Sequence, residues 1–159
     1  MKTKIFYFII STLLLTNIFT SCENDKDTTP PVIELISPAE NQSLLIGNTH
    51  GIHLDMNLSD NEMLASYKIE IHNNFDGHEH SRNGQNGMEN EPIPFFFSKS
   101  WNLTGLRNTN IHHHEIVIPA NTIAGKYHMI IHCTDAAGNE SHIARNIILS
   151  NDGDDQSHI

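Results

Sequence analysis

Cysteine is nearly absent: Cys22 and Cys133 are the only two in 159 residues. Two thiols allow one disulfide at most, so this is no disulfide-built scaffold and an apolar core must hold it together. Basic residues are also scarce. Nine Lys and Arg stand against 19 Asp and Glu, a formal charge of −10. Nucleic-acid affinity rests on cationic side chains that neutralise phosphates, so no nucleic-acid partner is expected; cations suit the chain better. Catalytic signatures are missing as well. There is no G-x-S-x-G, H-E-x-x-H or C-x-x-C, no phosphate loop and no pairing of Cys with His. Glu89 and Glu91 lie in loop-like sequence and read as solvated acids. The chain is therefore expected not to be an enzyme. No stretch shows the apolar period of an amphipathic helix, and no internal repeat occurs.

The long apolar run comes first. Lys2 and Lys4 precede Ile5 to Leu15, which only Ser11 and Thr12 interrupt. Thr16, Asn17 and Thr20 then break the run, which is short for a membrane span. Residues 1–21 read as a secretory signal. Phe19-Thr20-Ser21-Cys22 resembles a bacterial lipobox, with Phe19 where Leu, Val or Ile is usual. That resemblance implies cleavage before Cys22, a diacylglyceryl thioether on its sulfur and an acylated amine of the palmitate kind. Several acyl chains anchor stably where one is marginal. The expected address is the outer membrane, surface-exposed or periplasm-facing, held through this lipid anchor.

Residues 22–31 read as an acidic tether. Glu23, Asp25, Lys26 and Asp27 resemble an export tag of surface lipoproteins, and Asp27-Thr28-Thr29 resembles an O-glycosylation site. Pro30-Pro31 stiffens the approach to the domain and cannot join a central ladder. Loss of residues 1–21 removes two lysines and no acid, taking the formal charge from −10 to −12. A lipidated Cys22 leaves Cys133 without a disulfide partner. On the apolar side of its strand, Cys133 reads as a small buried hydrophobe.

Residues 32–150 alternate as strands do. Val32 to Ile36 and Leu44 to Ile46 are short apolar strands. Ile52, Leu54, Met56 and Leu58 alternate with His53, Asp55 and Asn57, a half-buried strand. Ser59 to Glu62 reads as a turn. Ala65, Tyr67, Ile69 and Ile71 then oppose Ser66, Lys68, Glu70 and His72. Asn73 to Trp101 is irregular, with Phe95, Phe96 and Phe97 expected to pack back as an edge strand. Trp101 to Asn110 reads as turn-like, and Ile111 to Ile118 as a strand with His112 and His114 on one face and His113 on the other. In Lys126 to Thr134, Tyr127, Met129, Ile131 and Cys133 form a core face opposite His128 and His132. TDAAGN supplies a turn, Ile143 to Leu149 the last strand, and residues 151–159 an acidic tail expected to fray. About seven short strands between turn signals predict an all-β fold: a single antiparallel β-sandwich of immunoglobulin type.

Histidine is the anomaly. All 12 lie beyond residue 21, and nine fall within 72–80, 112–114 and 128–142. Neutral imidazole is a good ligand for zinc, copper and nickel. Residues two apart on a strand are about 6–7 Å apart at Cα, so His112 and His114 can pinch one ion. His78 and His80 offer the same spacing in a loop. His128 and His132 share a face but stand about 13 Å apart, too far to chelate alone. They need His72 from the neighbouring strand, or the loop carrying Asp76, His78, Glu79 and His80. The candidate metal ligands are thus His72, His78, His80, His112, His114, His128 and His132. His50, His53 and His158 read as surface residues, and His142 as a backbone-bonding residue beside the turn. The rival reading of the whole pattern is a solvated polar face that resists edge-to-edge aggregation.

Asp60 to His80 (DNEMLASYKIEIHNNFDGHEH), Lys99 to Pro119 (KSWNLTGLRNTNIHHHEIVIP) and Gly125 to Ser141 (GKYHMIIHCTDAAGNES), with the lipobox, resemble a family of Bacteroidetes lipoproteins catalogued as domain of unknown function 4625. The resemblance implies a secreted immunoglobulin-like protein with Tyr127 as a corner tyrosine facing the core. It supplies no catalytic residue. The expected function is binding of a transition metal ion, zinc or copper, for uptake, buffering or handover to an outer-membrane transporter. Two alternatives stand beside it. One is an adhesion or glycan-binding module using the Phe run and Trp101. The other is an accessory scaffold to a transporter.

Overall fold

The computed structural model describes residues 26–74 and 91–155. Six strands follow in order: β1 (Val32–Ser37), β2 (Gln42–Leu45), β3 (Leu54–Asn73), β4 (Phe97–His113), β5 (Gly125–Asp135) and β6 (Glu140–Ser150). No helix occurs among the described residues. The sheet runs β1-β3-β5-β6-β2, with β4 paired to β3 off that path. It curls into a half-barrel, an all-β arrangement compatible with the expected sandwich. Its pairings are antiparallel except β2 with β6, which is parallel.

The 20-residue β3 organises the fold. Its first half pairs with β1, its second half with β5, and β4 follows it nearly throughout. The exchange of partners happens at an irregularity. From Ser59↔Asn108 to Leu64↔Leu106, β3 advances five residues while β4 steps two. The Asp60–Met63 segment therefore bulges out, and a bulge sharpens strand twist. Ser59 to Glu62 is thus an insertion within one strand rather than a turn between two. The turn chemistry is real but local: Asp60 Oδ1 accepts the Glu62 and Met63 amides at 2.9 and 2.7 Å. Trp101 to Asn110 corrects the reading similarly. Its Asn-, Thr- and Gly-rich sequence is strand because β3 pairs with it on both sides of a second bulge, Leu103 to Gly105, where β4 steps four residues while β3 steps two and Gly105 holds φ of 93°. Ladder pairing overrides the weak local preference.

The core face follows the alternation. Leu54, Met56, Leu58, Leu64, Ile69 and Ile71 of β3 meet Tyr127, Met129, Ile131 and Cys133 of β5 and Ile147 and Leu149 of β6, all buried. Burial pushes the Cys133 thiol up to about 11, so it stays protonated and inert at neutral pH. Tyr127 is the corner tyrosine: its hydroxyl donates to the Ile123 carbonyl at 2.7 Å and accepts the Phe95 amide at 3.2 Å. Of the Phe run only Phe97 joins a strand, opening β4, which pairs with β3 among the described residues; Phe95 is buried ahead of it and Phe96 is exposed.

Two boundaries shift. The strand expected through Ile118 ends at His113, although Ile116 and Ile118 stay buried and their carbonyls accept the Ile52 and Gly47 amides. The tail does not fray at once. Asp154 exchanges backbone bonds with Ser43 and Leu45, and Asn48 Nδ2 donates to Asp155.

Candidate metal centre

Three imidazoles converge where β3 begins and β4 ends. Leu54 pairs with His113 and Asp55 with His112, so the chain just before β3 lies beside the chain just after β4. Gly51 makes this approach possible. It holds φ of 80°, and a Cβ there would overlap the His114 carbonyl. Two residues later His53 enters the gap, only 5% exposed. Its ring lies 4.9 Å, centroid to centroid, from both His112 and His114, whose own rings are 5.9 Å apart. His53 Nδ1 is 3.1 Å from His114 Nε2. One ring nitrogen from each of the three lies within 4.8 Å of the others.

This geometry corrects the assignment of His53 to the surface. Alternation does turn it away from the Leu54 face, but the segment after β4 covers that side. His112 is exposed and His114 half-buried, so the cluster opens to solvent at His112. Burial first, then the neighbouring His114 and His112, hold the His53 imidazole below its ordinary value of 6.5, with Asp55 opposing. A neutral imidazole is the form that donates a lone pair to a metal.

His113 faces the other way and serves packing. Its ring stacks on Trp101 at 5.2 Å, and Tyr67 Oη lies 3.2 Å from its Nε2. Trp101 in turn stacks on Tyr67 at 4.7 Å and donates Nε1–H to Glu115, which also pairs with Lys99. Locking His113 inward projects its neighbours His112 and His114 outward together. Burial also lowers the His113 value, before the opposing pull of Glu115.

Both depressed histidines make stability depend on pH. A histidine neutral in the fold but free to protonate when unfolded stabilises fully above its unfolded value. That contribution is lost as pH falls through the depressed folded value. The metal-free protein should therefore lose thermal stability as pH drops from about 6.5. Melting scans between pH 8 and 5 check this, and His113→Gln should flatten the slope.

The other candidates fall into two separate groups. On the outer face of β5, His128 pairs across to His72 and His132 across to His142. The His72 and His128 rings meet edge to face at 5.7 Å, as the neighbouring-strand geometry required. His128 Nε2 also receives Asn74 Nδ2 at 2.7 Å. His132 does not join them. Its ring lies 5.7 Å from His142, and its nitrogens lie 3.1 Å from Glu140 and 3.5 Å from Glu70. His132, Glu140 and His142 form a second metal-capable group, more exposed than the first and already engaged in ion pairs. His142 thus faces a partner ring rather than backbone. His50 is exposed, as expected. Cys22, His78, His80 and His158 lie outside the described residues.

The described residues form a curled all-β domain that carries paired and tripled imidazoles. The family model described as Domain of unknown function (DUF4625) matches residues 20–150. The chain belongs to that family. No curated protein matches it.

Proposed function

We propose that this protein is a cell-envelope lipoprotein that binds zinc or copper, with His53, His112 and His114 as its principal ligands, for uptake, buffering or handover. The observation that carries this reading is the convergence of three imidazoles, one of them buried and held neutral, within bonding range of a single ion. Three nitrogen donors with one open position suit tetrahedral zinc and also copper. The open position, at the exposed His112 side, is where a carrier would release its ion to an outer-membrane transporter. The His72–His128 pair and the His132 group are secondary sites on this reading, and His78 and His80 are candidates to complete the former.

Calorimetric titration of the purified, untagged chain tests it. Zinc or copper should bind saturably at micromolar or lower Kd at pH 7.5. Affinity should fall below about pH 6 as protons compete for the imidazoles. Absence of saturable heat with both metals would sink the proposal. The adhesion alternative has less behind it: Trp101 packs against Tyr67 and His113 with Lys99 over its ring, leaving Phe96 as the exposed aromatic of that region among the described residues.

A further inference from the structure

Three carboxylates from distant parts of the chain meet at one end of the barrel. Asp27 comes from the segment leading into β1, Asp60 from the bulge in β3, and Asp135 from the end of β5. One oxygen from each lies within 4.8 Å of the others. Asp135 is 2% exposed and receives the Asn139 amide at 2.7 Å and Asn139 Nδ2 at 2.6 Å. Asp27 Oδ1 accepts the Thr29 amide and Asn61 Nδ2, at 2.9 and 3.1 Å. Asp60 Oδ1 is taken by the Glu62 and Met63 amides. The second oxygens differ. Asp27 Oδ2 and Asp60 Oδ2 are each shielded from solvent and have no hydrogen-bond partner among the described residues.

Those two orphaned oxygens raise the cluster above an acidic patch. Buried acceptors are almost always satisfied, and leaving a charged one unsatisfied is costly. Among the described residues, no Lys or Arg forms an ion pair with any of the three. Yet the fold brings them together, and hydrogen bonds favour the ionised form of Asp27, holding its carboxyl below the usual range. One ligand removes both costs. A cation between the carboxylates satisfies the orphaned oxygens and neutralises their repulsion.

We propose that Asp27, Asp60 and Asp135 form a binding site for a hard divalent cation, calcium, separate from the histidine cluster. The donors are all oxygen, the preference of calcium rather than of zinc or copper. Calcium–oxygen distances of about 2.3–2.6 Å place opposite ligands roughly 5 Å apart, which accommodates the observed spread. Water completes the shell. The ion ties the entry segment to β3 and β5, reinforcing the bond from Asn139 Nδ2 to the Asp27 carbonyl. The junction between the N-terminal segment and the domain becomes rigid when calcium is present.

Thermal unfolding of the chelator-treated full chain tests this. Calcium at about 100 times its Kd should raise Tm by about 5 °C or more. Asp27→Asn and Asp60→Asn should abolish most of that rise. Without calcium, Asp60→Asn should melt at or above the parent's metal-free Tm, because one of three repelling charges is gone and the Asn carbonyl still accepts the Glu62 and Met63 amides. That second result separates a cation site from a structural role, in which Asp60→Asn would be weaker with or without calcium. No calcium-dependent rise in the parent chain would overturn the proposal, as would an undiminished rise in both variants. Zinc affinity should be unchanged in both, so this site and the histidine site stand or fall separately.

Discussion

Replacing His53 with glutamine is expected to weaken zinc binding by at least ~100-fold while leaving the fold intact. Altering a mere supporting neighbour of a metal ligand already costs about 10–100-fold. Removing one of three ligands should exceed that. The effect is specific to position. His53 is the buried member, central to both other rings at 4.9 Å, and its Nδ1 sits beside His114 Nε2. Without it, His112 and His114 remain a two-nitrogen pair on an exposed edge. Glutamine keeps the polarity and much of the volume, so the loss can be read as ligand chemistry rather than a cavity. Titration of zinc into the variant and the parent measures the ratio. Replacing His50, exposed two residues before Ile52, is the matched control and should change affinity less than twofold.

Gly51→Ala should damage both stability and binding. An alanine at φ of 80° carries a strain of about 1–3 kcal/mol. Here its Cβ would also overlap the His114 carbonyl, which is backbone and cannot rotate away. The chain before β3 must separate from the chain after β4. That separation breaks the 2.8 Å bond from the Ile52 amide to the Ile116 carbonyl and withdraws His53 from its partners. A total loss of at least about 2 kcal/mol is expected, read by denaturant unfolding, together with a zinc affinity no better than that of His53→Gln. A stable variant with normal affinity would mean that the close approach at Gly51 does not organise the site.

The legible parts of this protein are those where neighbouring residues carry the information. Tyr127, Met129, Ile131 and Cys133 alternate without interruption, so their core face could be read directly. Strand spacing also separated His128 from His132, and the two do find different partners. The His72–His128 pair followed from placing two strands side by side. What could not be read depends on register between distant segments. His53 looks like any outward polar residue until β4 is laid along β3 with Leu54 opposite His113. Gly51 was the available signal: a glycine two residues before a histidine at a strand start marks a close backbone approach, but not what approaches. The bulge at Asp60 was hidden for a similar reason. Asp-Asn-Glu closes a local turn equally well between strands or within one, and only the continuity of β4 decides. His132 does not meet His72, because β6, on its other side, presents His142 and Glu140.

The central claim is that His53, His112 and His114 act together on one ion. Nuclear magnetic resonance of the histidine ring nitrogens during zinc titration tests it most directly. Up to one equivalent, the ring-nitrogen signals of His53, His112 and His114 should move together and those of His50 and His113 should stay in place. Movement confined to His72, His128, His132 or His142, with the His53 ring unperturbed at saturation, would contradict it.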